Sequence, residues 1–85
     1  MQIELRFFAS LRETLGLAET RVEVPPEVRT VGALRDWLRT RGAPWDEALD
    51  PARALRTARN RRAGSFDAPL ADGDEIAFFP PVTGG

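Results

Sequence analysis

The sequence predicts an α+β domain: a mixed sheet with one main helix packed across it. Apolar residues alternate near both ends of the chain, over residues 2–8 and 75–79, as in strands with one buried face. Between them Val31, Leu34 and Leu38 recur at helical spacing. Pro25-Pro26, Pro80-Pro81 and Asp72-Gly73-Asp74 punctuate the periodic segments. Eighty-five residues suffice for a single domain, 1–85, with one modest core.

Each element has its own signal. In residues 2–8, Ile3, Leu5 and Phe7 point one way and Gln2, Glu4 and Arg6 the other, while Phe8 places an aromatic on the polar side. Residues 10–15 suit a short helical turn closed by Gly16. Residues 20–24 alternate again, with Val22 and Val24 inward, until Pro25 ends the ladder. Thr30 is placed to cap a helix starting at Val31, whose stripe extends to Trp37 and whose Arg35, Asp36 and Arg39 face water. Gly42 and Pro44 end it, and residues 45–49 form a further short turn. Residues 54–59 are a weak strand, Asn60-Arg61-Arg62 its turn, and residues 63–66 a short return. Asp72-Gly73-Asp74 then turns into a last strand, with Ile76 and Phe78 on one face and Ala77 and Phe79 on the other. A hairpin, a helix, two short strands and a final strand beside the first is the element order of the ubiquitin-like β-grasp fold.

Composition excludes much chemistry. The chain has no Cys and no His, and also lacks Tyr and Lys, since all 12 basic residues are Arg. Thiol and thiolate-metal chemistry, histidine acid–base catalysis and lysine Schiff bases are therefore absent. A net charge of −1 gives no footprint for nucleic acid. No apolar run is long enough for a membrane span, and the N-terminus lacks a signal peptide's apolar core, so a cytoplasmic protein is expected.

The most informative segment is the last. Pro80-Pro81 fixes two φ angles at the exit of the final strand, and Val82-Thr83-Gly84-Gly85 follows as a flexible tail, residues 80–85 in all. Two glycines form a strip of backbone without Cβ atoms, able to pass where any side chain would clash. The expected working group is the main-chain carboxylate of Gly85, with Gly84 letting it thread.

Three stretches carry a family likeness: Phe7-Phe8-Ala9 with Leu11-Arg12-Glu13, Ser65 to Leu70, and Asp72 to Gly85. With these the chain resembles the small subunits of molybdopterin synthase, ubiquitin-like β-grasp sulfur carriers, over nearly its whole length. The resemblance implies that an E1-like adenylyltransferase, using ATP and Mg²⁺, activates Gly85. A sulfur-donor protein then converts it to a thiocarboxylate, and the tail enters a large catalytic subunit to sulfurate cyclic pyranopterin monophosphate. It implies no cofactor and no metal on this chain, no catalytic side chain, and a heterotetramer of two large and two small subunits. Pro80, Pro81, Val82 and Thr83 would line the partner channel. Thiamin or tRNA thiolation, and ubiquitin-like protein modification, use the same tail chemistry and stay open, as does a plain interaction domain.

Neighbouring first and last strands would bring Phe8 and Phe79 together opposite the helix, with Ala77 beside them and Ala63 within reach. Aromatics on an open sheet face mark an interface unless loops cover them. Arg12 is either a solvated residue or a fork for a partner carboxylate. Arg59, Arg61 and Arg62 read as a solvated turn or a contact to an acidic surface. Asp72, Asp74 and Glu75 lack calcium-loop spacing and read as turn formers. Trp37 and Trp45 read as core or helix-edge packing.

Overall fold

In the computed structural model, which describes residues 1–81, Ile3 and Leu5 are fully buried and Phe7 nearly so, while Gln2, Glu4 and Arg6 face away. This alternation builds β1 (Gln2–Phe7), which pairs antiparallel with β2 (Glu19–Glu23). Between them the expected turn is a full two-turn helix, α1 (Ala9–Leu15), burying Leu11. Gly16 closes it at φ +76°, donating its N–H to the Arg12 carbonyl, a conformation that Cβ-bearing residues resist.

Helix α2 (Val31–Arg39) begins where expected. The Thr30 hydroxyl accepts from the Ala33 N–H at 3.1 Å, and Val31, Leu34 and Leu38 are buried. Burying each leucine contributes about 2–3 kcal/mol. Arg35 departs from the expected solvated position: its guanidinium lies 4.5 Å above the Phe66 ring, because residues 66–70 fold against the start of α2. Gly32 allows that approach, since a Cβ there would meet the Phe66 carbonyl oxygen at 3.2 Å. Helix α3 (Trp45–Ala48) follows. Trp45 meets the edge of Phe7 at 5.7 Å, and Arg41 lies over both Trp37 and Trp45 at the core margin.

The remaining strands are β3 (Arg56–Arg59), β4 (Arg62–Gly64) and β5 (Glu75–Phe79), giving the sheet order β2-β1-β5-β3-β4. β5 lies parallel to β1 and antiparallel to β3. Side chains from all three helices join one core with Ile3, Leu5, Phe7, Ile76 and Phe78, so the helices occupy one face of the sheet. Both hairpin strands are shorter than expected, and Arg62 belongs to β4, opposite Arg59. The turn is thus Asn60-Arg61 alone, at φ +50° and +69°. Positive φ at both central residues is the primed hairpin geometry that follows the sheet's twist, and its second position favours glycine.

The Asp72-Gly73-Asp74 turn sets the register of β5. Asp72 Oδ1 accepts from the Gln2 N–H at 2.7 Å, the Gly73 N–H donates to the Gln2 carbonyl at 2.8 Å, and the Glu4 N–H donates to the Asp74 carbonyl at 2.9 Å. Asp74 is 7% exposed. Its carboxylate accepts from Arg59 Nε at 2.8 Å, the Ala71 N–H at 2.8 Å and Asn60 Nδ2 at 3.0 Å. Burial opposes the charged form, but the bonds from Asn60, Arg59 and Ala71, with the Arg59 charge, outweigh it and hold the pKa below the usual carboxylate value.

A lowered pKa in the folded chain means that this stabilisation is complete above the unfolded Asp value of about 3.9 and fades as pH falls through the folded value. Asp74→Asn puts an NH2 donor in place of one of the two oxygens that accept from these three donors; it should cost about 2–3 kcal/mol at neutral pH and flatten the stability profile below about pH 4. Urea titrations of both proteins across that range check this. Arg61→Gly should stabilise the fold by about 0.5–1 kcal/mol, seen as a higher Tm, by relieving the left-handed backbone. The ion pair lost, Arg61 Nε to Glu75 at 3.5 Å on an 81%-exposed side chain, offsets little of that gain.

Candidate docking face and tail base

Parallel pairing of β1 with β5 places Phe7 opposite Phe78, their rings stacked at 6.3 Å in the core. The next residue of each strand therefore emerges on the opposite face. There Phe8 and Phe79 meet edge to face, ring centroids 6.5 Å apart at 82°. Phe8 is 48% exposed, the one exposed large hydrophobic side chain among the described residues. The expected juxtaposition of the two rings is present.

The sheet register extends this patch. Ala77 lies opposite Ala58, and Ala58 opposite Ala63, so three alanines form one row beside the aromatic pair. Ala77 is buried flush in the sheet and Ala63 is exposed, next to the patch as anticipated. Ala58 was not anticipated, because its position depends on pairing with a strand some twenty residues away. A smooth strip ending in two rings is a surface that a partner can cover without displacing large side chains.

Toward β2 the same face is charged. Arg6 has Glu75 at 3.0 Å and Glu19 at 3.4 Å, and Arg21 bonds Glu4 at 2.9 Å. The Arg6–Glu75 contact is an ion pair without hydrogen-bond alignment at Nε. This lattice bounds the apolar strip on one side. On the other side of Phe8 the chain turns sharply into α1 at Ala9, φ +54°, a left-handed backbone that costs an alanine roughly 1 kcal/mol. Arg12 follows on α1 and is exposed, with no ion pair among the described residues.

Pro80 and Pro81 leave the end of β5 directly beyond Phe79, half-buried. Val82, Thr83, Gly84 and Gly85 lie outside the described residues. Asp72 and Asp74 act in the turn and bind backbone, whereas Glu75, expected there too, begins β5 and faces Arg6 and Arg61. Arg59 is committed to Asp74 rather than to a partner surface, and Arg61 sits in the hairpin turn. The structure therefore places an apolar strip on the outer sheet face, with Pro80 and Pro81 next to it.

Comparison with known proteins agrees with the fold and assigns the family. The ThiS family pattern matches residues 5–85. The molybdopterin synthase sulfur carrier subunit of Escherichia coli (strain K12) is 47% identical over 83 residues, covering 98% of this chain and 99% of that protein. Small archaeal modifier protein 1 of Haloferax volcanii superposes with a TM-score of 0.73 at 31% identity, covering 95% of this chain and 98% of the other. The complex of subunits 1 and 2 of molybdopterin-converting factor from Helicobacter pylori contains a chain that superposes with a TM-score of 0.66 at 27% identity, each fully covered.

The two faces of the sheet should respond differently to substitution. Phe78→Ala, which empties a fully buried site, is expected to cost about 3–5 kcal/mol. Phe8→Asp should change stability by no more than about 1 kcal/mol, because its ring already faces solvent. Chemical denaturation of the two variants beside the parent chain measures both.

Proposed function

The chain belongs to the ThiS family, and from that premise we propose that it is the sulfur-carrying small subunit of a molybdopterin synthase. The observation that carries this reading is the 47% identity, over 98% of the chain, to a molybdopterin synthase sulfur carrier subunit. The apolar strip beside the tail base supports it as well, since a carrier must be gripped where its tail enters another protein.

On this reading the chemistry belongs to the backbone. A carboxylate is a poor electrophile, because its charge is delocalised and its leaving group would be oxide. An E1-like enzyme, using ATP and Mg²⁺, joins the Gly85 carboxylate to AMP and releases pyrophosphate. Sulfide-level sulfur handed over by a donor protein displaces AMP, which leaves with the anhydride oxygen, and yields a thiocarboxylate that stays ionised at neutral pH. Inside the large subunit this soft nucleophile attacks a side-chain carbon of cyclic pyranopterin monophosphate, and that carbon's bond to oxygen breaks, the oxygen leaving on phosphate or as water. Water then cleaves the resulting thioester, so sulfur remains on the pterin and the Gly85 carboxylate is regenerated. Two rounds supply the two sulfurs of the dithiolene.

The carrier's own side chains bind and orient. Phe8, Phe79 and Ala63 seat the large subunit, Arg12 meets a carboxylate on it, and Pro80 and Pro81 stiffen the start of the tail. Val82 and Thr83 line the channel, and Gly84 permits passage where a Cβ would clash. The catalytic groups and the pterin pocket belong to the large subunit, with two large and two small subunits in the assembly, and the carrier works in the cytoplasm. A second reading, a ubiquitin-like modifier, draws on the likeness to the archaeal modifier protein. It predicts slow-migrating conjugates on immunoblots of cell extract, which a pure carrier does not form.

Intact-mass spectrometry of the chain after incubation with its activating enzyme, ATP and a sulfur donor should reveal a species heavier by the difference between sulfur and oxygen. One residue appended after Gly85 should abolish that species and pterin sulfuration together. Thiocarboxylate formation by the extended chain would count against a terminal-carboxylate mechanism.

A further inference from the structure

The arginines divide into two groups by their partners. Arg6, Arg21, Arg35, Arg39, Arg59 and Arg61 each have a carboxylate within 4.0 Å. Arg56 has none among the described residues, and it is exposed. The β3–β5 register places Arg56 directly opposite Phe79. Directly opposed residues share a sheet face, with Cβ atoms about 5 Å apart. Arg56 therefore flanks the aromatic pair from the β3 side. Arg12 lies one helical turn past Phe8 on α1.

We propose that Arg56 is a partner-selecting residue of the docking face, and that the surface it meets is an apolar seat carrying a carboxylate beside the pocket for Phe79. This inference rests on the reading of the Phe8–Phe79 strip as the docking face for the large catalytic subunit. The physical ground is the contrast with the β1–β2 side of the sheet. On the β1–β2 side each outward arginine is neutralised within the chain, so that area presents no net positive field to a partner. At the strip's β3 flank Arg56, opposite Phe79 in register, has no carboxylate partner among the described residues. There its planar fork can bind a carboxylate bidentately once the rings exclude water. A basic residue at the same place on a partner is rejected by like charge, which turns the contact into discrimination between related large subunits.

Position, more than total charge, distinguishes Arg56 from other exposed arginines. Arg29 lies just ahead of α2 in the helical layer, where the Leu70 N–H donates to its carbonyl, and it is equally exposed. It serves as the control for non-specific electrostatics.

The experiment is calorimetric titration of the purified large subunit with the full-length carrier at low and high salt. The carriers are the parent chain, Arg56→Glu, Arg56→Gln, Arg56→Lys, Arg29→Glu and Phe79→Ala, each confirmed as folded by circular dichroism. Arg56→Glu should weaken binding about ten-fold or more at low ionic strength, with the gap narrowing as salt screens the charge. Arg56→Gln should lie between it and the parent, Arg56→Lys should recover most of the affinity, and Arg29→Glu should match the parent. If Phe79→Ala weakens binding while Arg56→Glu binds like the parent, the face stands and the role of Arg56 is overturned. Equal losses from Arg29→Glu and Arg56→Glu overturn it too, by assigning the effect to net charge. If Phe79→Ala binds like the parent, the docking-face reading itself fails, and the inference fails with it.

Discussion

The structure depends on the register between its first and last strands, and the turn at Asp72-Gly73-Asp74 holds that register. Three hydrogen bonds connect this turn to the first residues of β1. The Asp74 carboxylate connects it to the hairpin of β3 and β4 through Arg59 and Asn60. A slip of one residue would exchange the faces of β5, exposing Ile76 and Phe78 and burying Glu75. Because β5 is central in the sheet, such a slip would disturb β1 and β3 as well. A buried carboxylate with three donors thus does more than offset its own desolvation: it selects one pairing from several that the apolar pattern alone would permit.

One register decision produces both surfaces of the domain. Phe7 and Phe78 stack inside, so Phe8 and Phe79 meet outside. The core and the candidate docking strip are therefore coupled by strand geometry, although no side chain belongs to both. The tail base emerges from the same strand, which fixes the origin of the tail relative to the strip.

Electrostatics follow a similar economy. Most arginines near the sheet are consumed by internal carboxylates, and exposed pairs of this kind add little stability. Their larger effect is to quiet the field on the β1–β2 side, so that charges left unpaired near the strip stand out. Backbone strain is also localised: Ala9 and Arg61 both have left-handed backbones, one at the elbow that presents Phe8 and the other at the hairpin tip. Ala9 stands where β1 must stop abruptly for Phe8 to leave the ladder, and Arg61 where a two-residue turn must follow the sheet's twist.

Local pattern determined β1, β5, α2 with its Thr30 cap and the Gly16 stop, because each rests on periodicity or a cap within a few residues of itself. Family membership was equally legible, because likeness is read along the chain. Tertiary structure alone decided the limits of β3 and β4, whose Arg, Thr and Ala residues alternate too weakly to announce a buried face. It also decided the burial of Asp74, the seating of Arg35 on Phe66, and the alignment of Ala58 and Arg56 with Ala77 and Phe79. Each of these depends on which residue of a distant strand or loop lies opposite, and that choice is made by long-range hydrogen bonds and close packing, which local periodicity does not encode.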